Sequence, residues 1–110
     1  MGFEFNGKHY ETDDDGFLVH REDWNREVAE FIARREGIEM SEAHWEIIGV
    51  ARSYFEEFQV PPMIKVLVKQ VAKRLGEDKG NNIYIYRLFP GGPAIQTCKI
   101  AGLPKPTGCI

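Results

Sequence analysis

Residues 1–97 contain no cysteine, and the two thiols of this 110-residue chain, Cys98 and Cys109, both fall in its last 13 residues. Disulfide staples across the core are therefore excluded, and a reactive pair is favoured over a structural one. No apolar run approaches the roughly 20 residues of a membrane-spanning helix. The opening Met1-Gly2-Phe3-Glu4-Phe5-Asn6 also lacks the basic-then-apolar order of a secretory signal. Asn6 stands where a myristoylation signal needs Ser or Thr, and Thr107 where a prenylation signal needs Cys. The expectation is a cytoplasmic protein with no direct membrane insertion. Histidine is scarce: His9, His20 and His44 sit at no ligand spacing, and two cysteines eleven apart make an incomplete zinc set, so no metal site is expected. A phosphate-binding glycine loop, a Cys-x-x-Cys pair and a Ser/His/Asp set are missing as well, which leaves no conventional active site.

What is present suffices for one small domain. Phe 7, Tyr 4 and Trp 2 supply enough large apolar surface for a core within a chain that is 43% hydrophobic. The net charge of -3 hides an asymmetry: residues 1–59 carry 15 acids against 6 Lys+Arg, while residues 60–110 carry 2 acids against 8 Lys+Arg. Such a molecule is polarised, and its field can steer a partner or simply solvate two faces.

Phe3-Glu4-Phe5, Asn6-Gly7 and Lys8-His9-Tyr10 read as strand, tight turn and strand, because Asn and Gly both tolerate positive φ. Asp13-Asp14-Asp15-Gly16 reads as a turn, since its acids are contiguous rather than alternating as in a calcium loop. From about Arg21 to Glu36, Trp24, Val28, Phe31, Ile32 and Arg35 recur at helical spacing, with Glu22 and Asp23 in the first turn. Ser41 caps a second helix to about Phe58, with Ile47, Ile48, Ala51, Tyr54, Phe55 and Phe58 as its buried stripe. Pro61-Pro62 starts a third helix that runs from Ile64 through Leu75 to Gly76. Its other face carries Lys65, Lys69 and Lys73 with Arg74 beside them, a basic ridge for solvent, a partner or a nucleic acid. Ile83-Tyr84-Ile85-Tyr86 fits a strand by alternation or the start of a short helix through Phe89 capped by Asn81, of which the helix is favoured, and a last helix from Ala94 to about Ala101 carries Cys98. The pattern is mainly α: a helical domain over 1–101 with an N-terminal β-hairpin, followed by a flexible C-terminal arm over 102–110.

In that arm Pro104 and Pro106 stiffen the middle, while Gly102 and Gly108 supply joints at the base and beside the terminal thiol. Eleven residues reach at most about 36 Å when extended at roughly 3.3 Å each, so Cys109 can work outside the domain or fold back onto Cys98. Closing a ring of this size costs only about 3 kcal/mol of chain entropy, so the pair can join reversibly, directly or through an inserted sulfur atom. An exposed thiol is mostly protonated at neutral pH, and the carboxylate of Ile110 opposes ionisation further. Chemistry at Cys109 is thus expected inside a partner's basic pocket, with Lys99 and Lys105 as docking charges.

Leu88-Phe89-Pro90-Gly91-Gly92-Pro93, followed by the unbroken run from Cys98 to Cys109 with Leu103-Pro104-Lys105-Pro106-Thr107-Gly108 inside it, closely resembles the tail of the DsrC/TusE family of sulfur-carrier proteins. The resemblance extends over essentially the whole chain and implies a small orthogonal helical bundle with an N-terminal hairpin. It further implies a protein co-substrate of dissimilatory sulfite reductase, sulfurtransferase-like rather than a stand-alone catalyst. In that role Cys109 enters the reductase's sirohaem site, and Cys98 joins it to hold sulfur as a trisulfide, or Cys109 alone holds a persulfide. The sirohaem and iron–sulfur clusters belong to the partner and no cofactor to this chain. A membrane-bound thiol-disulfide reductase complex then releases the sulfur, and sulfurtransferases are further partners. TusE-type relatives, which relay persulfide sulfur toward tRNA thiolation, keep the penultimate cysteine and lack the earlier one, so Cys98 argues for the dissimilatory branch. The final Ile110 stands where Val is more usual.

Two other classes compete. A helix-turn-helix DNA binder with redox-sensing cysteines would use Lys65, Lys69, Lys73 and Arg74, although the third helix offers no obvious base reader and the net charge is negative. A purely structural reductase subunit would use the tail only to lock an interface.

Overall fold

The computed structural model describes residues 1–107. Near its start Asn6 and Gly7 take φ of 50° and 75°, the two left-handed positions that a hairpin turn matched to strand twist requires. Strands β1 (Gly2–Phe5) and β2 (Lys8–Glu11) consequently pair antiparallel, with Phe3 opposite Tyr10 and Phe5 opposite Lys8. Phe3 and Phe5 project from the same face; Phe3 stacks on Phe31 and Phe5 packs tilted against it, which fastens the hairpin to the first helix. Asp13-Asp14-Asp15-Gly16 is a turn as expected. The Asp13 carboxylate accepts hydrogen bonds from the amides of Asp15 at 2.9 Å and Phe17 at 3.0 Å, and the chain then delivers Phe17 and Leu18 into the core.

The first helix begins later than its periodicity suggests. Arg21–Asp23 forms a single 3-10 turn, Trp24 is extended, and helix α1 spans Arg26–Arg35. The cause is Asn25, whose side chain accepts from the Val28 amide at 2.9 Å while its own backbone is extended. A residue in that capping conformation cannot also continue a helix through itself. Trp24 is thereby released from the helix surface for another task.

Helix α2 (Glu42–Phe58) follows the Ser41 cap as expected and ends where Gln59 turns left-handed at φ 59°. His44 forms the reciprocal half of that cap and, through its other ring nitrogen, hydrogen-bonds the Leu88 carbonyl at 2.9 Å. Phe58, expected in the buried stripe, is half exposed and packs its ring at a tilt against Tyr54 in the helix's last turns. Helices α3 (Ile64–Leu75), α4 (Asn82–Leu88, capped by Asn81) and α5 (Pro93–Ile100) complete the bundle. The short α5 packs against α1, α2, α3 and α4, and six of its eight residues are buried. It is the central helix around which the others are arranged.

Replacing the cap at the start of α1, Asn25→Ala, is expected to lower stability by about 1 kcal/mol. Urea unfolding followed by far-UV circular dichroism would show this as a lower midpoint with an unchanged slope.

Candidate functional site

Cys98 lies on α5 with no exposed surface, and its Sγ approaches the Pro62 carbonyl oxygen at 3.7 Å. Pro62, itself fully buried, arrives from the loop that precedes α3. Removal from water disfavours a thiolate, so burial pushes the Cys98 thiol from its ordinary 9.0 up to about 12. In this arrangement Cys98 is a protonated thiol and a poor nucleophile near neutral pH.

The end of α5 is held with unusual completeness. Gly102 sits at φ 73°, its amide donates to the Lys99 carbonyl at 3.2 Å, and the Leu103 amide donates to the Cys98 carbonyl at 3.0 Å. This is the left-handed glycine turn that closes many helices. The carbonyls that helix geometry leaves over are taken by side chains from elsewhere. Trp24 Nε1 donates to Ile100 O at 2.8 Å, and Arg52 Nη1 donates to Ala101 O at 2.6 Å. The Arg52 guanidinium lies over the Trp24 ring, 3.7 Å from its centroid. A Cβ on Gly102 would fall 2.4 Å from Trp24 Cδ1, so at the position where the sequence suggests a joint the structure shows a packed corner.

The described part of the arm returns onto the domain. Leu103 is only 2% exposed, Pro106 is fully buried, and Lys105 pairs with Asp15 at 3.2 Å. Lys99 pairs with Glu36 at 3.2 Å and lies over the Phe17 ring. Glu36 also accepts from Gln96, whose side-chain oxygen takes the Gly91 amide, so the entry to α5 is braced too. Both lysines expected as docking charges thus have acidic partners from the N-terminal half. Gly108 and Cys109 lie outside the described residues. Lys65, Lys69, Lys73 and Arg74 lie exposed along α3, with Arg74 3.8 Å from Glu57.

Sequence reasoning missed Trp24 as an anchor of the last helix, and it missed Arg52, Glu36 and Asp15. One signal was available: Arg52 is the single Lys or Arg within α2, next to buried Ala51. Among the described residues no three His, Cys, Asp or Glu side chains are grouped to hold a metal ion, and no helix is long and apolar enough to cross a membrane.

A family model described as DsrC like protein matches residues 4–110. The sulfurtransferase TusE of Sodalis glossinidius (strain morsitans) is 50% identical over 107 residues, covering 97% of this chain and 99% of that protein. The fold is similar to that of Allochromatium vinosum DsrC solved by NMR, with a TM-score of 0.89 and 48% identity over 99% of this chain and 97% of that one. It is also similar to the crystal structure of the oxidized gamma-subunit of dissimilatory sulfite reductase (DsrC) from Archaeoglobus fulgidus, with a TM-score of 0.86 and 46% identity over 100% of both chains.

Burial of Cys98 has two measurable consequences. Iodoacetamide at neutral pH is expected to leave Cys98 unmodified in the folded chain and to modify it in denaturant, as read by peptide mass. The folded thiol also binds its proton more tightly than the unfolded one, so this stabilisation is complete below about pH 9 and is lost as pH rises toward 12. Unfolding free energies of wild type and Cys98→Ala should therefore converge across that alkaline window.

Proposed function

The chain belongs to the DsrC/TusE family of sulfur-carrier proteins, and on that premise we propose that it carries sulfur on Cys109 as a protein co-substrate of a dissimilatory sulfite reductase. In a reducing cytoplasm sulfite sulfur would pass to Cys109 in the reductase, which supplies two electrons; the Cys109 and Cys98 thiols give up their protons and supply two more, the three sulfite oxygens leave as water, and the sulfur is held between the two cysteines as a trisulfide. The observation that carries this reading is the second cysteine on the central helix, whose own carbonyl receives the Leu103 amide of the arm at 3.0 Å. A thiol kept protonated by burial suits a resolving partner that reacts only when the loaded arm comes to it. The haem and the iron–sulfur clusters are the reductase's, and a membrane-bound thiol-disulfide reductase complex is the second partner, which frees the sulfur. For the arm to reach into the reductase, Leu103 and Pro106 leave their packed sites, and Lys105 exchanges Asp15 for acidic groups of the partner. Gly108 supplies the joint beside Cys109, and Lys99 presents charge at the root.

A second reading is favoured by the 50% identity to a protein named sulfurtransferase TusE. There Cys109 alone carries a persulfide between sulfurtransferases on the way to tRNA thiolation, and Cys98 is a core residue.

Intact mass after thiol alkylation separates the two. Wild type, Cys98→Ala and Cys109→Ala are incubated with sulfite, an electron donor and a dissimilatory sulfite reductase, and in parallel with a cysteine desulfurase and cysteine. The reductase reading expects wild type to gain one sulfur, lose two hydrogens and resist alkylation, with no gain in Cys109→Ala. Sulfur gained only from the desulfurase, equally by wild type and Cys98→Ala, supports the relay. If no protein gains sulfur from either source, both carrier readings fail and a structural role for the tail takes their place.

A further inference from the structure

We propose that the loop joining α2 to α3, residues 59–63, is a lid over the Cys98 thiol, and that Cys98 becomes reactive when this loop and the first turn of α3 lift as a local unit while α5 stays folded. This deepens the carrier reading, in which Cys98 must be reached, and rests on it for its biological meaning.

The loop has the thiol on one side and water on the other. Its Pro62 carbonyl oxygen stands 3.7 Å from Cys98 Sγ and Pro62 is fully buried, whereas Val60, two residues earlier, is half exposed. The helices packed around α5 are hydrogen-bonded along their length, so an opening through one of them breaks a ladder. An opening through the loop breaks far less. Among the described residues the hydrogen bonds of residues 60–63 are two, from Cys98 Sγ to Pro62 O and from the Leu67 amide to Met63 O at the start of α3. Pro61 and Pro62 have no N–H to give.

Both ends of the lid are weak. Gln59 sits at φ 59°, a left-handed conformation that a residue with a Cβ adopts at a cost. Its side-chain amide donates to the Phe55 and Glu56 carbonyls at 3.3 and 3.0 Å, so this end is anchored to α2 alone. At the other end Met63 occupies the N-cap position of α3 and supplies no side-chain acceptor, and the first turn holds no acid. Lys65 places its charge in that turn, against the positive end of the helix dipole. Segments with so few hydrogen bonds open before the rest of a fold. The far end of α5 is held instead by Trp24 on Ile100 O and Arg52 on Ala101 O, which keeps the helix that bears Cys98 in place.

The test is the rate at which Cys98 is labelled in Cys109→Ala, a full chain with a single thiol. Methyl methanethiosulfonate is an uncharged reagent that attacks thiols far faster than iodoacetamide. Cys98 loses its proton and forms an S–S bond to the methylthio group as the reagent's own S–S bond breaks and methanesulfinate leaves. Intact mass follows the reaction for hours at urea concentrations below the unfolding transition. Lifting a lid exposes little surface, so the rate is expected to stay nearly flat in urea, whereas labelling through global unfolding climbs with the full unfolding slope. Pro61→Gly, which frees the open loop, should speed labelling about three-fold. Lys65→Glu, which gives α3 an acid in its first turn, should slow it about two-fold. Asn25→Ala, which lowers global stability from the start of α1, should leave the rate unchanged. Circular dichroism checks each variant for folding, and either loop variant serves if the other does not fold. The proposal is overturned if labelling follows the unfolding slope throughout, if Asn25→Ala speeds it as much as Pro61→Gly, or if the folded loop variants label at the parent rate. Its failure is distinct from that of the carrier reading, because labelling needs neither a sulfur donor nor a partner, and the carrier reading fails when no sulfur is gained, whatever these rates.

Discussion

Everything at the functional end of this molecule depends on an eight-residue helix that is surrounded by all four of the others. A helix covered on nearly every side has little solvent face on which to display a reactive group. Cys98, carried on it, is therefore removed from water, and its thiol is held in the protonated form. The same enclosure leaves the helix's last carbonyls to be met by side chains, and Trp24 and Arg52 meet them. Burial of one helix thus sets both the reactivity of the inner thiol and the path by which the arm departs.

The lopsided charge of the chain finds part of its explanation inside the molecule. Four ion pairs, Asp15 with Lys105, Glu36 with Lys99, Glu46 with Lys79 and Glu57 with Arg74, each join an acid of residues 1–59 to a base of residues 60–110. Individually such pairs contribute little when exposed, since water and salt screen them. They place acidic groups of the first 59 residues beside the basic C-terminal region and hold the arm's lysine against Asp15. Lys65, Lys69 and Lys73 lie exposed along α3, with no acidic partner within 4.0 Å among the described residues.

Local chemistry made much of the fold legible. Asn6-Gly7 specified its hairpin, Ser41 and Asn81 their helix starts, and Gly76 a helix end, because each of those devices acts within a few residues. The start of α1 was misjudged because apolar spacing runs on through Trp24, while the cap at Asn25 interrupts it. The packed root of the arm was not legible at all. Pro104 and Pro106 do make Leu103 to Thr107 irregular, yet irregular segments still bury side chains when a surface is ready for them, as Leu103 and Pro106 do.

By itself the sequence determined the class of the fold, the placing of both thiols at the end of the chain and, through its tail, the family. Those are matters of residue identity and short spacing. Only the tertiary structure decided that Cys98 is sealed, that Gly102 is a corner filled by an indole, and that Arg52 serves a carbonyl on another helix. Each joins residues dozens of positions apart, Trp24 with Ile100 and Arg52 with Ala101 among them. Such contacts exist only once the helices have packed, and no periodicity along the chain encodes them.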